Sequence, residues 1–123
     1  MKTLLLADLS GCQTQMEVKE YISGEFDLEL EDLEQYAVLV GYISVGSWGC
    51  DSSAYFLLQD YKTNLYYEVF GSHCSCYGFE GQWEPEETFT KYLVSDQFGF
   101  STGGYDDEST QNEQLVKDFV KSL

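Results

Sequence analysis

From Ala37 to Val45 the chain reads AVLVGYISV, apolar almost without a break. A short run rich in β-branched residues predicts a strand, and its near-continuous apolar character predicts a central place in a sheet. Two more strands follow closely. Ala54 to Asp60 is one and Leu65 to Phe70 the next. Gly46-Ser47-Trp48-Gly49-Cys50-Asp51-Ser52-Ser53 makes the first connection, a turn or loop. Tyr61-Lys62-Thr63-Asn64 makes the second, a hairpin turn. Strands joined this tightly form an antiparallel meander. In the third, Leu65, Tyr67 and Val69 share one face, and Tyr66, Glu68 and Phe70 the other.

Helices are expected on either side of the meander. Leu4-Leu5-Leu6 reads as a short first strand ending near Ser10-Gly11. Thr14 and Glu17 have the spacing of a capping box, and Val18, Tyr21 and Ile22 supply an apolar stripe. Ser23-Gly24 then closes a helix over 14–22. Pro85 followed by Glu86 and Glu87, with Phe89, Tyr92 and Leu93 behind, predicts a helix over 85–93. Thr110 and Glu113, with Leu115, Val116, Phe119, Val120 and Leu123, predict another over 110–122. The fold expected is α+β, one domain over 1–123: a central antiparallel sheet, a meander of three to five strands, with helices covering one face. The alternating segment Glu25-Phe26-Asp27-Leu28-Glu29-Leu30-Glu31 fits two structures. As a strand it buries Phe26, Leu28 and Leu30; as a helix or loop it leaves one turn's contact between Leu30 and Leu33.

Scarce residues gather between Leu65 and Leu93. This stretch holds the only histidine, two of the four cysteines, one of the two tryptophans and the only proline. Gly71 and Gly78 bracket a loop that carries His73, Cys74 and Cys76, and Trp83 is expected to pack beneath it. His73, Cys74 and Cys76 are residues of zinc-ligand type, and Cys50 or Cys12 could complete a tetrahedral site, but the spacing lacks C-x-x-C, and His73 and Cys74 are adjacent. Buried thiols packing as small apolar groups are the expectation, so no cofactor is expected. Acidic surroundings favour the neutral thiol over a nucleophile, and the chain has no arginine to stabilise an oxyanion. No phosphate-binding glycine motif is present either. Catalysis is therefore not expected.

The run GSHCSCYGFEGQWEPEE, with the preceding strands from roughly Tyr36, resembles a family of small acidic proteins of bacteriophages and prophages. The resemblance covers about half the chain. It implies no activity and no catalytic residue. It implies a setting, that of a phage-derived accessory protein inside a host cell.

Charge narrows the partner. Twenty-two acids face six lysines, giving a net charge of −16. That field repels nucleic acid and anionic lipid and attracts basic protein surfaces. At 43% hydrophobic and 16% aromatic the chain still builds a core. Asp8 interrupts the apolar N-terminus too early for a signal peptide, and no run approaches a membrane span, so a cytoplasmic location is expected. The densest acids are Glu25, Asp27, Glu29, Glu31, Asp32 and Glu34, then Asp106, Asp107 and Glu108. These, with Trp48, Tyr66 and Tyr77 as aromatic anchors, form the candidate surface for a basic, nucleic-acid-binding host protein. A thiol or metal protein acting through Cys74, Cys76 and His73, and a virion component, are the other classes. Elemental analysis of the purified protein separates the first of these. Less than stoichiometric zinc is expected, and one zinc per chain would make the Cys/His loop a metal centre.

Overall fold

The computed structural model describes residues 3–44, 52–73, 79, 81–95 and 107–123. Its element order is β1 (Leu4–Ala7), α1 (Gln15–Phe26), a 3-10 turn (Leu30–Leu33), β2 (Tyr36–Ser44), β3 (Ser52–Asp60), β4 (Tyr66–His73), β5 (Glu86–Thr88), α2 (Thr90–Leu93) and α3 (Asp107–Lys121). The strands form one sheet in sequence order, β1-β2-β3-β4-β5. β2 to β5 are the expected meander, antiparallel throughout. β1 adds a parallel edge, with Leu4 opposite Val40. Among the described residues no helix is long and apolar enough to cross a membrane.

The central run of β2 has no polar face because both of its faces are covered. A bulge between Val38 and Val40 reverses the alternation of side chains. Tyr36 and Val38 pack toward α1, with Leu9, Val18, Ile22, Phe26, Phe56 and Leu58. Beyond the bulge, Val40 and Tyr42 pack on the opposite side, with Tyr55, Leu57, Leu93, Val116 and Val120. Helices thus cover two faces of the sheet, α1 on one and α2 with α3 on the other, where covering of one face was expected. The Gln15 side chain clamps the bulge. Its Nε2 donates to Val38 O at 2.8 Å, and its Oε1 accepts from Val38 N at 2.9 Å. Those two backbone groups lie just before the point where pairing with β1 begins.

Thr14 caps α1, its hydroxyl accepting the Glu17 N–H at 3.1 Å. The helix does not stop at Ser23-Gly24. It continues to Phe26, because Val18, Ile22 and Phe26 keep the same apolar face turned to the sheet. Asp27 ends it in the left-handed conformation, φ 54° and ψ 54°, with its N–H bonded to Ser23 O. The strand option for residues 25–31 is therefore overturned: Glu25 and Phe26 are helical, and Leu30 begins the 3-10 turn.

The helix expected from Pro85 is also corrected. Glu86–Thr88 pairs with Tyr66–Glu68 as strand β5, and only the single turn Thr90–Leu93 is helical. Gly71 is likewise a strand residue rather than the opening of a loop. A side chain there would put its Cβ 2.9 Å from the ring of Phe79. The last helix starts earlier than Thr110, at Asp107.

Phe26 is the ring on which these pieces meet. It stacks on Phe79 at 4.9 Å between centroids and meets Trp83 edge-on at 5.4 Å and Phe56 at 5.7 Å. Replacing it with alanine is expected to cost about 3–5 kcal/mol of unfolding free energy, measured by urea denaturation. The conservative Phe26→Leu is expected to cost less.

Candidate functional site

The acidic segment follows from the end of α1. Glu25 sits in its last turn, half-buried, and Asp27 is its C-cap, exposed. Glu29, Glu31, Asp32 and Glu34 are all exposed along and beside the 3-10 turn. The turn holds this order locally: Asp32 Oδ2 accepts the Glu29 N–H at 3.2 Å, and Asp32 N donates to Glu29 O at 3.0 Å. Leu33 anchors the segment to the core, while Leu30 stays 39% exposed. Six expected partner-binding acids therefore lie on one continuous turn of chain that leads into β2.

This arrangement works against the helix it ends. The C-terminus of a helix carries partial negative charge, which favours cations there. α1 has no basic residue in its last turn and instead presents Glu25 and Asp27. Lys19 lies within electrostatic reach of Glu34 in this segment. Its Nζ lies 5.4 Å from the centre of the Tyr61 ring, and burial lowers its pKa while Glu34 opposes that shift.

The second acidic set is only partly described. Asp106 lies outside the described residues, and the backbone of Asp107 and Glu108 opens α3. Of the proposed anchors, Trp48 and Tyr77 lie outside the described residues. Tyr66 is half-buried in β4 and packs against the cluster shared with α3. Trp83 packs against Phe26 and Phe56, and Pro85 directly precedes β5. His73 ends β4, opposite Ser52. Cys50, Cys74, Cys76 and Gly78 lie outside the described residues, as does any metal site built from them. Among the described residues, no three His, Cys, Asp or Glu side chains are grouped to hold a metal ion. Cys12 is half-buried, and burial together with the nearby Glu17 raises its thiol pKa, opposite to what an activated nucleophile needs.

One feature was not singled out from the sequence. Glu68 is only 7% exposed, and its Oε2 accepts a 2.9 Å hydrogen bond from the Tyr55 hydroxyl. The signal was present, since Glu68 lies between Tyr66 and Phe70 on one face of a strand. Compared with known protein families, curated proteins and solved structures, the chain matches none.

Burial, reinforced by the Glu68 carboxylate, pushes the Tyr55 phenol well above its ordinary range. A tyrosine in the unfolded chain ionises near about pH 10, so above that pH the folded state binds more protons than the unfolded one. The contribution is intact below about pH 10 and is lost as pH rises beyond it. Tyr55→Phe is expected to flatten that alkaline decline, measured by denaturation from pH 8 to 11. Some slope remains, because burial also raises Tyr21. At neutral pH the same variant is expected to be less stable by about 1–3 kcal/mol, because Glu68 loses its hydrogen-bond donor.

Proposed function

We propose that this protein is a phage-type accessory protein that binds and inhibits a basic, nucleic-acid-binding host protein, acting against host defence by presenting a DNA-like array of negative charge. The observation that carries this reading is the acidic turn from Glu25 to Glu34, exposed at Asp27, Glu29, Glu31, Asp32 and Glu34, on a chain of net charge −16. A duplex carries one negative charge per about 1.7 Å of its axis, and its binding proteins present cationic grooves to match. A folded surface dense in carboxylates is a rival ligand for such a groove. The acids at the end of α1 add support. Charge of this sign there opposes the helix dipole by about 0.3–1 kcal/mol per residue, a cost that solubility alone does not require. The likeness of residues 71–87 to phage proteins supplies the setting. CRISPR effectors, restriction enzymes, recombination nucleases and RNA polymerase all offer grooves of this kind.

The test is capture from host lysate followed by competition. Nucleic-acid-binding proteins with cationic grooves are expected, released by rising salt and displaced by duplex DNA. Changing Glu25, Glu29, Glu31 and Glu34 to Gln, and Asp27 and Asp32 to Asn, keeps the capping acceptors but removes six charges. Affinity is expected to fall at least about tenfold and to lose much of its salt dependence, while stability holds or rises. Unchanged affinity would move binding to another surface. Capture of no cationic nucleic-acid-binding protein would end the proposal.

A further inference from the structure

The sheet has two outer edges, β1 and β5, and the sequence treats them differently. β5 follows Pro85 and exposes Glu86 and Glu87. Proline and exposed charge are among the devices that keep an edge from pairing with another chain. β1 has neither. It reads Leu4-Leu5-Leu6-Ala7, apolar throughout, and none of its residues is fully buried.

The backbone of the β1 edge is open. Asp8 N–H donates to Ile43 O at 2.9 Å, across the β1–β2 pair. Backbone groups alternate in direction along a strand, so Leu4 and Leu6 also turn theirs toward β2, and Leu5 and Ala7 turn theirs outward. Ser10 N–H donates to Ala7 O at 3.0 Å. The Leu5 N–H, the Leu5 C=O and the Ala7 N–H have no partner among the described residues. The Leu5 side chain packs on the α1 face, beside a cleft lined by Thr3, Gln13, Thr14, Gln15 and Val18.

We infer that β1 pairs with β1 of a second copy of this chain, antiparallel about a two-fold axis at Leu5, so that two sheets join into one. A two-fold contact sets each group against its own counterpart. The Leu5 N–H and C=O of one copy meet the C=O and N–H of Leu5 in the other, and the Ala7 N–H meets the Thr3 C=O. Leu4 stands opposite Leu6, apolar against apolar. The flanking sequence is complementary in the same register: in MKTLLLAD, rotation about Leu5 sets Lys2 against Asp8. This complementarity selects a second copy as the occupant, because the segment supplies its own apolar match and, at its ends, its own opposite charge. The two Leu5 side chains meet between the two clefts.

The rest of the surface opposes the contact. Two chains of net charge −16 repel one another, and salt screens that repulsion. The paired edge is short, so the dimer is weak and concentration-dependent. Salt strengthens it, the opposite of the salt response expected at the acidic turn, so the two proposals fail separately.

The experiment is sedimentation equilibrium of the full chain from roughly 10 μM to 1 mM, in about 0.1 M and about 0.5 M sodium chloride. A monomer–dimer equilibrium is expected, at least about threefold tighter at the higher salt. Hydrogen exchange followed by NMR is expected to slow at the Leu5 and Ala7 amides as concentration rises, and to stay constant at the amides of β5. Thr3→Pro places a ring at the paired edge while the β1–β2 bonds, made by Leu4 and Leu6, are kept. It is expected to weaken the dimer at least about tenfold. Leu5→Lys guards the edge with charge and is expected to do the same. Thr3 is exposed, so its variant carries the test even where Leu5→Lys loses stability. A monomer throughout, a dimer that salt weakens, unchanged exchange at Leu5, or a dimer untouched by Thr3→Pro would each overturn the inference.

Discussion

The ring of Phe26 is the contact on which the other elements depend. It belongs to α1, yet its neighbours come from β3 and from the chain between β4 and β5. An α1 ended at Gly24 would leave Phe56, Phe79 and Trp83 without their central partner. Gly71 is shaped by the same cluster, because the Phe79 ring occupies the space where a side chain would stand. A scarce-residue segment that looks chemical in sequence thus has a packing role in its described part. Burial of four large rings in one cluster removes more apolar area than any single aliphatic contact in the sheet, and aromatic side chains dominate core energetics for that reason.

The second organising device is the bulge near Leu39. Without it, a strand of strict period two would send Tyr36, Val38, Val40 and Tyr42 to a single face. One extra residue divides them between two cores, and both helical layers become necessary. The Gln15 amide makes this arrangement tolerable by taking both backbone groups of Val38. Packing and hydrogen bonding are coupled here: the clamp that satisfies β2 also fixes where α1 starts, and hence where Phe26 arrives three turns later.

Much of this was legible in the sequence. The meander followed from three apolar runs and short connections, and the Thr14 cap and the last helix followed from local spacing. What misled the reading was local signal outweighed by distant pairing. Pro85-Glu86-Glu87 has the chemistry of a helix start, but the exposed edge of β4 offers backbone hydrogen bonds that these residues take as β5. The perfect alternation from Glu25 to Glu31 suggested a strand, yet Phe26 completes an i, i+4 series begun at Val18 and Ile22, and that longer period prevails. The continuous apolar run in β2 could not reveal its bulge, because residues suited to both faces leave no polar marker of phase. The acids of the candidate surface were legible as a cluster. Their joint placement on one turn was not, since it depends on α1 ending at Asp27. Glu68 was passed over because one acid among twenty-two carries little weight until its burial is known.

Two pairs of acids share a physical logic. At the end of α1, Glu25 and Asp27 oppose the helix dipole with no basic residue in that turn. In the sheet, Glu68 and Glu86 face one another with no ion-pair partner among the described residues. In both places a lysine or an amide would suit the fold better by elementary electrostatics. Conflicts between local chemistry and fold stability concentrate where a surface serves something outside the chain. They also predict a common sign. An arriving cation relieves repulsion already present in the free protein, so association gains from that relief in addition to the new contact. A surface charge in an already favourable setting offers no such gain. This difference separates acids that only keep a protein soluble from acids whose repulsion a cation would relieve, and it is why the end of α1 carries the proposed reading.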